Sequence, residues 1–320
     1  MKLKILYLLL INIHNSFSKL LNYEYLFNKH CNKFNCNLDN YNHRFNIFKN
    51  NLNLIEDHNK NDTLFKLELN KFSHLTKEEY KKLIGFNNIN LNNNLDCEDM
   101  PKNNDTELNN DNFNWVDKNK ITNVKNQLEC GSCWAFSTIG AYENWYAINN
   151  NELVDFSEQE LVDCDKNDNS CNGGLMINGF NYIKKNGICK YNDYPYNAKK
   201  NWSCNNKCNK YPKINGCYNV PSNNTKLLKN ALLKNAISIA IEADNYYFQQ
   251  YKSGIINDKL KCGDNIDHGV LLVGYGNENG QNYWLVKNSW GIDWGDNGYV
   301  KISMDDNNVC GILNMPSYPY

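Results

Sequence analysis

The segment QLECGSCWAFS, from Gln127 to Ser137, constrains this 320-residue chain more than any other feature. It places Cys133 at the start of an apolar stretch, directly after two small residues. Apolar side chains then recur at spacings of four, three and four, which predicts a helix over residues 134–149. A helix N-terminus favours an anion, so a cysteine placed there can ionise to the reactive thiolate. The alternative is an inert cysteine that is buried or disulfide-bonded.

A base for this thiol follows from a count of histidines. The chain has six histidines, and five of them precede residue 75, so His268 is the only one in the rest of the chain. A cysteine nucleophile needs a base within hydrogen-bond reach. The apolar run after His268 ends in a Gly-Tyr-Gly turn, which predicts that His268 starts a buried strand. A structural histidine is the alternative, and the signature around Cys133 favours catalysis.

A third candidate lies in the segment KNSWGIDWG, residues 287–295. The side-chain amide of Asn288 can accept a hydrogen bond from a histidine ring and so orient it. Trp290 can shield that contact from water. The alternative is a turn rich in tryptophan and glycine that packs a core, and both interpretations can hold together.

Together these segments resemble a papain-family (cathepsin L-like) cysteine peptidase. The resemblance implies that Cys133 is the nucleophile, that His268 is the general base and acid, and that Asn288 orients His268. It also implies that Gln127 forms an oxyanion hole with the Cys133 N–H. The matching segments, in the family's order, are Gln127–Ser137, Cys171–Gly174, Asp267–Gly269, Asn288–Gly291 and Trp294–Gly298.

Substrate contacts are predicted from the same matching positions. Gly173 and Gly174 let a peptide backbone approach closely and pair with the enzyme main chain. The resemblance implies a pocket for the P2 residue, which directly precedes the substrate residue that carries the scissile carbonyl. Apolar or small side chains line this pocket. A preference for bulky apolar residues such as Leu, Phe or Val is therefore expected. The predicted lining is Leu175, Met176, Ala240, Gly269 and Met315, and Asp267 and Trp290 complete the predicted contacts.

The predicted fold is α+β, a papain-like structure with two lobes and a cleft between them. The helical lobe is expected over residues 111–210 and the β-rich lobe, a β-barrel, over residues 211–320, so nucleophile and base lie on different lobes. Further helices are predicted at Ser157–Asp163 and Leu175–Lys185. Strands are predicted at Ile237–Ile241, Val270–Gly274, Tyr283–Lys287 and Gly298–Ile302.

Residues 19–108 are predicted to be a helical inhibitory propeptide. Arg44, Phe48, Asn51, Ile55 and Asn59 share one helix face and match most of the helix signature of cathepsin L-like propeptides. The chain departs from the pattern in three places: Asn40 replaces the acid that usually pairs with the arginine, Glu68 replaces a glycine, and His74 replaces an aspartate. A histidine there can still act as a pH switch. The alternative is an ordinary helical domain.

The two boundaries of this propeptide are predicted from the composition of the segments at its ends. Residues 1–18 have two lysines, a short apolar run and small polar residues, which is typical of a signal peptide. No later stretch approaches about 20 apolar residues, so a soluble product is expected in the secretory pathway, in a lysosome-like compartment or outside the cell. Residues 87–112 have a linker composition, and maturation cleavage is expected near Asn109, which makes residues 109–320 the mature enzyme.

Secretion explains 13 cysteines as a disulfide framework. The family resemblance implies the pairs Cys130–Cys171, Cys164–Cys204 and Cys262–Cys310, with Cys208 as a rival of Cys204. Cys189, Cys208 and Cys217 then permit one extra bridge and one free thiol, and Cys208–Cys217 is one candidate. Four glycosylation sequons start at Asn61, Asn104, Asn201 and Asn223.

The net charge of −1 and the single arginine leave no basic stripe for nucleic acid. The expected partners are peptide or protein substrates and the chain's own propeptide, with a monomeric enzyme and no metal ion or cofactor. Two alternatives are a catalytically silent binding or inhibitory homologue and another Cys-His enzyme such as an acyl transferase. The segment Gly216–Tyr218 and the asparagine bias resemble cathepsins of large insect DNA viruses, with an AT-rich protist as the rival source. A viral source implies breakdown of host tissue, with the enzyme made in the host-cell ER.

Overall fold

The computed structural model describes residues 21–61, 64–85, 97–101, 112–205, 207–258, 261–304 and 308–320. The predicted signal peptide, the predicted cleavage point near Asn109 and the sequon at Asn104 lie outside these ranges. Within them, no helix combines the length and the apolar character needed to cross a membrane. Helices pack against one extended sheet, which confirms the α+β prediction. 

The helices are α1 (residues 21–34), α2 (Tyr41–Asn61), α3 (Lys77–Lys81), α4 (Cys133–Asn150), α5 (Glu158–Cys164), α6 (Met176–Asn186), α7 (Thr225–Leu232) and α8 (Tyr246–Gln249), with 3₁₀ turns at Tyr191–Asp193 and Val309–Gly311. Helices α4, α5 and α6 lie close to their predicted positions, and α2 contains the predicted face from Arg44 to Asn59. Helices α1, α3, α7 and α8 were not predicted.

Helix α4 is the centre of the helical layer. It is buried on nearly all sides, as expected of an apolar helix inside a large core. The absence of a side chain at Gly140 lets the helix approach the sheet, since a Cβ there would lie 2.9 Å from Cδ2 of Leu271. No side chain caps the N-terminus at Ser132, so the first main-chain N–H groups remain available beside Cys133.

The strands of the described residues are β1 (Phe65–Leu67), β2 (Glu98–Asp99), β3 (Phe113–Asn114), β4 (Cys217–Asn219), β5 (Ile237–Ile241), β6 (Tyr251–Ile256), β7 (His268–Glu278), β8 (Gln281–Lys287), β9 (Tyr299–Ser303) and β10 (Ser317–Pro319). They form one sheet in the order β1-β6-β9-β8-β7-β5-β10-β4-β2, with β3 paired to β7. His268 starts the central strand β7, and Ala240 of β5 pairs directly with Gly269.

Three strands cross the predicted boundaries between regions. Strand β3 falls in the range predicted for the helical lobe, but it pairs with β7 of the β-rich lobe. Strands β1 and β2 fall in the predicted propeptide, but they pair with β6 and β4 of the β-rich lobe. The order of elements along the chain does not show such pairings, because a short strand can join any sheet edge that its backbone reaches.

The predicted inhibitory segment, residues 21–85, packs its own small core around Phe27, Phe45 and Phe48 of α1 and α2. Arg44 forms a bidentate pair with Glu79 of α3, with Nη2···Oε1 2.7 Å and Nη1···Oε2 3.1 Å. Glu79 therefore supplies the acidic partner that Asn40 cannot.

All 13 cysteines are described, and six disulfides leave Cys133 as the free thiol. The three pairs implied by the family resemblance are present. The extra bridge among Cys189, Cys208 and Cys217 is present as Cys189–Cys208, so the candidate pair Cys208–Cys217 was wrong. The expected free thiol was also wrong, since Cys217 pairs with Cys97 of the propeptide range. The remaining pair is Cys31–Cys36.

Candidate functional site

Cys133 lies at the first residue of α4 and is fully buried. Its sulfur accepts hydrogen bonds from the main-chain N–H groups of Gly269, at 3.3 Å, and of Gly85. The first donor comes from the strand that His268 begins, and the second comes from the inhibitory segment. The thiol therefore lies where the two lobes and the propeptide meet.

His268 directly precedes Gly269, whose N–H contacts this thiol, and the His268 ring is oriented by Asn288. Its Nε2 atom is 2.9 Å from Oδ1 of Asn288, and its ring stacks on Trp290 with centroids 4.7 Å apart. Because an amide oxygen only accepts hydrogen bonds, Nε2 carries the proton and Nδ1 keeps its lone pair. Within the described part of the chain, Nδ1 is buried with no hydrogen-bond partner.

Gln127 is held with its amide nitrogen facing the cleft. Its Oε1 accepts a hydrogen bond from the Ser289 hydroxyl at 2.7 Å, and its Nε2 donates to the carbonyl of Cys130 at 2.9 Å. The same Nε2 donates to the carbonyl of Leu83 at 2.7 Å. A peptide carbonyl of the inhibitory segment thus occupies the position where an oxyanion would be bound.

Gly85 of the inhibitory segment contacts the Gly173–Gly174 edge of the cleft. The carbonyl of Gly85 accepts a hydrogen bond from the N–H of Gly174 at 3.0 Å. A Cβ at Gly85 would lie 1.8 Å from the carbonyl oxygen of Gly131, so only glycine fits there. The predicted backbone-binding role of the Gly173–Gly174 edge is matched by this contact, which the propeptide makes through Gly174.

Burial keeps both candidate catalytic groups neutral in this covered state. Burial raises the pKa of Cys133 to about 11, although main-chain donors act in the opposite direction. Burial lowers the pKa of His268 to about 4, although the Asn288 hydrogen bond raises it. The helix N-terminus was predicted to favour the thiolate, but under the propeptide the desolvation of a charge outweighs it.

The predicted P2 pocket is apolar where the structure describes it. Leu175 and Met176 are buried, and Ala240 lies beside Gly269 in the sheet. A Cβ on Gly269 would lie 3.2 Å from the Met176 sulfur, so these two residues adjoin directly. Met315 is half-buried against the same core.

Asp267 makes contacts that its predicted role in substrate binding did not anticipate. Its carboxyl oxygens accept hydrogen bonds from the N–H groups of Ala243, at 2.7 Å, and Asp244, at 3.1 Å. Burial raises the pKa of this carboxyl to about 7. The side chain therefore braces the turn after β5.

Sequence reasoning missed the aromatic cover that the propeptide adds to Trp290. Phe72 and Tyr80 pack edge-on against its ring, at centroid distances of 5.0 and 5.8 Å. The Lys71 ammonium also donates to the Trp290 carbonyl at 2.7 Å. Lys71 and Phe72 adjoin the predicted propeptide position His74, but their partner Trp290 lies more than 200 residues away in the chain.

Two of the described sequons have their amide nitrogens in use. Nδ2 of Asn201 donates to Asp163 at 2.7 Å in a partly buried network, and Nδ2 of Asn61 donates to the Asp57 carbonyl at 3.0 Å. Asn223 is exposed at a turn. Glycosylation at Asn223 stays a prediction that its exposure favours, whereas glycan attachment at Asn201 would disrupt its contacts.

Comparison with known proteins gives one consistent result. The family model of papain family cysteine proteases matches residues 109–320, and the cathepsin propeptide inhibitor domain (I29) matches residues 26–80. The chain is 41% identical over 286 residues to a probable cysteine protease RDL2 of Arabidopsis thaliana, covering 86% of this chain and 78% of the relative. It is also 41% identical over 297 residues to the thiol protease SEN102 of Hemerocallis sp., covering 88% and 81%.

Solved structures of proforms are similar over nearly the whole chain. The proform of the ragweed pollen allergen Amb a 11, a cysteine protease, has a TM-score of 0.83 at 33% identity and covers 93% of this chain and 94% of its own. The digestive procathepsin L2 of Tenebrio molitor larval midgut has a TM-score of 0.85 at 32% identity, with coverages of 93% and 99%.

Proposed function

This chain belongs to the papain family of cysteine proteases and is a zymogen with its own propeptide, and on that premise we propose that it hydrolyses peptide bonds through Cys133 and His268. Once the propeptide leaves, water reaches the pair, and the proton of the thiol can pass to the free Nδ1 of His268. The result is a thiolate beside an imidazolium, with Asn288 holding the ring in place.

The chemistry then follows two steps. The Cys133 thiolate attacks the scissile carbonyl, the Gln127 amide and the Cys133 N–H stabilise the oxyanion, and His268 protonates the leaving amine, which leaves a thioester. A water molecule then gives a proton to His268 and attacks the thioester, releasing the carboxylic product and the thiol. No step in this sequence calls for a metal ion or a cofactor.

One observation carries this proposal: the Leu83 carbonyl is hydrogen-bonded to Gln127 while the Gly85 N–H contacts the Cys133 sulfur. The cleft is therefore already shaped to hold a peptide backbone at the thiol. The bound propeptide survives because burial keeps the thiol protonated and His268 neutral.

The test is to bring recombinant proprotein to about pH 5 and follow chain length, peptide-dye turnover and thiol labelling. We expect self-shortening and turnover, both lost in Cys133→Ala, with His43→Gln as a matched control on an exposed histidine of α2. All other cysteines are in disulfides, so a thiol label on the native protein reports on Cys133 alone. Absence of shortening, turnover and labelling in the wild type would support a silent binding homologue instead.

The substrate preference proposed is a bulky apolar residue such as Leu, Phe or Val at P2. Leu175, Met176, Ala240 and Gly269 form an apolar surface with no charged side chain, and Met315 is the predicted floor. Burying a leucine-sized group contributes roughly 1.5–3 kcal/mol, enough for a preference of about ten-fold or more. A peptide panel turned over best with Arg at P2 would contradict this.

We further propose that the enzyme is monomeric and enters the secretory route. Six disulfides are consistent with an oxidising compartment. One relative, 40% identical, is named as a KDEL-tailed cysteine endopeptidase of Arabidopsis thaliana. A role in host tissue breakdown stays a prediction tied to a viral source.

A further inference from the structure

Residues 97–101 precede the predicted cleavage point but are part of the enzyme's sheet. Strand β2 pairs in parallel with β4, with Glu98 opposite Tyr218 and Asp99 opposite Asn219. The N–H of Met100 donates to the Asn219 carbonyl at 2.9 Å, and Nδ2 of Asn219 donates to the Cys97 carbonyl at 3.1 Å. The segment therefore satisfies the backbone groups of an edge that would otherwise be open.

The side chains of this segment are also integrated into the enzyme domain. Met100 is only 6% exposed and belongs to the same core as the residues around Cys133. The Glu98 carboxylate accepts a hydrogen bond from the Tyr320 hydroxyl, and the Tyr320 ring stacks on Tyr218 with centroids 4.0 Å apart. The far end of the chain thus closes over the segment.

The disulfide Cys97–Cys217 joins this segment to β4 across the predicted cleavage point. Cys217 is 1% exposed, and Cys97 is partly exposed. No disulfide joins the described residues 21–85 to the enzyme domain. Their contacts with it are hydrogen bonds, ion pairs and packing, such as the hydrogen bonds from Asn70 to the Gln249 carbonyl and from Tyr80 to the Ala243 carbonyl.

We infer that Cys97–Cys217 keeps residues 97–101 on the enzyme as a permanent edge strand, and that the inhibitor is released by a cut N-terminal to Cys97. Hydrolysis near Asn109 alone leaves the inhibitor connected to the enzyme through Cys97, as in the uncut chain. A tethered inhibitor keeps a high effective concentration at its site and continues to block it. The part of this inference that concerns inhibitor release rests on the proposed function. The part that concerns the disulfide tether does not.

The first test is the intact mass of wild-type proprotein activated at about pH 5, quenched with a thiol-alkylating reagent and mapped with and without reduction. We expect the active, non-reduced enzyme to contain residues 97–101, with one alkylated cysteine, Cys133. If the chain is also cut near Asn109, reduction removes a short peptide that contains Cys97. An active enzyme that lacks residues 97–101 and has Cys217 alkylated without reduction would overturn the inference.

The second test does not depend on activity of this chain. In the Cys133→Ala background, an added endopeptidase nicks the chain between residues 101 and 112, and the products are separated in denaturant without reductant. We expect the fragment with residues 97–101 to stay with the enzyme domain, and to separate in Cys97→Ser/Cys217→Ser. The matched control Cys164→Ser/Cys204→Ser removes a disulfide that lies within the enzyme domain and should retain the fragment.

Equal separation of the fragment with and without Cys97 and Cys217 would overturn the tether. If the nicked fragment stays with the enzyme domain but the wild-type proprotein never shortens itself, the tether is supported and the proposed protease activity is refuted. The two failures are therefore distinguishable.

Discussion

The inhibitory segment, residues 21–85, and the enzyme domain, residues 112–320, each bury a pair of ionisable groups, and the two pairs are of opposite kind. The inhibitor buries a histidine pair, with Nε2 of His30 3.0 Å from Nδ1 of His74. The enzyme domain buries the carboxyl groups of Asp165 and Asp168, which share a hydrogen bond. Burial disfavours the charged form in both cases, so histidines are driven to lose a proton and carboxyls to keep one.

The inhibitor should lose stability as the pH falls. Burial, and then the facing charges of the neighbouring groups, lower the pKa of His30 to about 3 and of His74 to about 4. The unfolded segment therefore binds more protons below the ordinary histidine pKa of about 6.5. The stabilising contribution is complete above about pH 6.5 and is lost as the pH falls toward 4.

The enzyme domain should behave in the opposite way. Burial raises the pKa of Asp165 to about 6, and burial followed by the Asp165 carboxyl raises that of Asp168 to about 8. The folded state then binds more protons than the unfolded state, so this stability is complete in acid and is lost as the pH rises through these values. Acid therefore removes the stability that the histidine pair contributes to the inhibitor but keeps the stability that the carboxyl pair contributes to the enzyme domain.

The largest expected effect separates steric blocking from protonation. In Gly85→Val, the new side chain meets the Gly131 backbone, and we expect the inhibitor's hold on the cleft to weaken by about 3 kcal/mol, or about 100-fold. Thiol labelling of Cys133 in the uncut proprotein at neutral pH should rise accordingly. Lys82→Ala, an exposed neighbour, is the control. Unchanged labelling would show that residues 83–85 do not close the site.

The next effect tests the histidine pair. His74→Gln keeps a hydrogen-bonding group of similar length but cannot take up a proton. We expect propeptide release at pH 5 to slow by about ten-fold, and its half-maximal pH to fall by about one unit. A pH series of proprotein shortening measures both, with His43→Gln as control. An unshifted profile would assign acid release to other groups.

A smaller effect tests the enzyme side. Asp168 Oδ1 accepts hydrogen bonds from the Leu175 N–H and the Asn178 side chain, both at 2.9 Å. The Asp168 side chain also packs against Gly174. Asp168→Asn keeps these contacts and removes the titration. The melting temperature of the enzyme domain, measured by calorimetry in the Cys133→Ala background, should fall between pH 5 and pH 8. In Asp168→Asn this fall should be smaller by about 2–4 °C than in the parent. Asp193→Asn, an exposed carboxyl, should leave that loss unchanged.

The smallest effect concerns the pair between Arg44 and Glu79. Arg44→Lys keeps the charge but loses the bidentate geometry, and Glu79 is partly exposed, so about 0.5–1 kcal/mol of inhibitor stability should be lost. Thermal unfolding of the proprotein at pH 7 measures this. A loss equal to that of Arg44→Ala would show that charge alone contributes nothing there.

Regular patterns made most of the enzyme's elements predictable. The helix behind Cys133 and the strand that begins at His268 follow from the spacing of apolar residues, and the elimination of other histidines identified the base. In the structure His268 contacts Asn288, the Gly269 N–H contacts Cys133, and Gln127 contacts the Leu83 carbonyl. The catalytic roles of these residues stay a prediction. The partner of Arg44 was not predictable in this way, because Glu79 lies on another helix and only the packing of α2 against α3 sets the pair.

The amino-acid sequence by itself determined the family, the elements and the identity of the reactive thiol, because these depend on local spacing and on residue chemistry. Only the tertiary structure decided which cysteine bridges the propeptide to the enzyme, which carbonyl occupies the oxyanion position and whether Cys133 is charged. Those outcomes depend on which surfaces meet in space and on how much water they exclude, and a pattern of residues along one chain contains neither quantity.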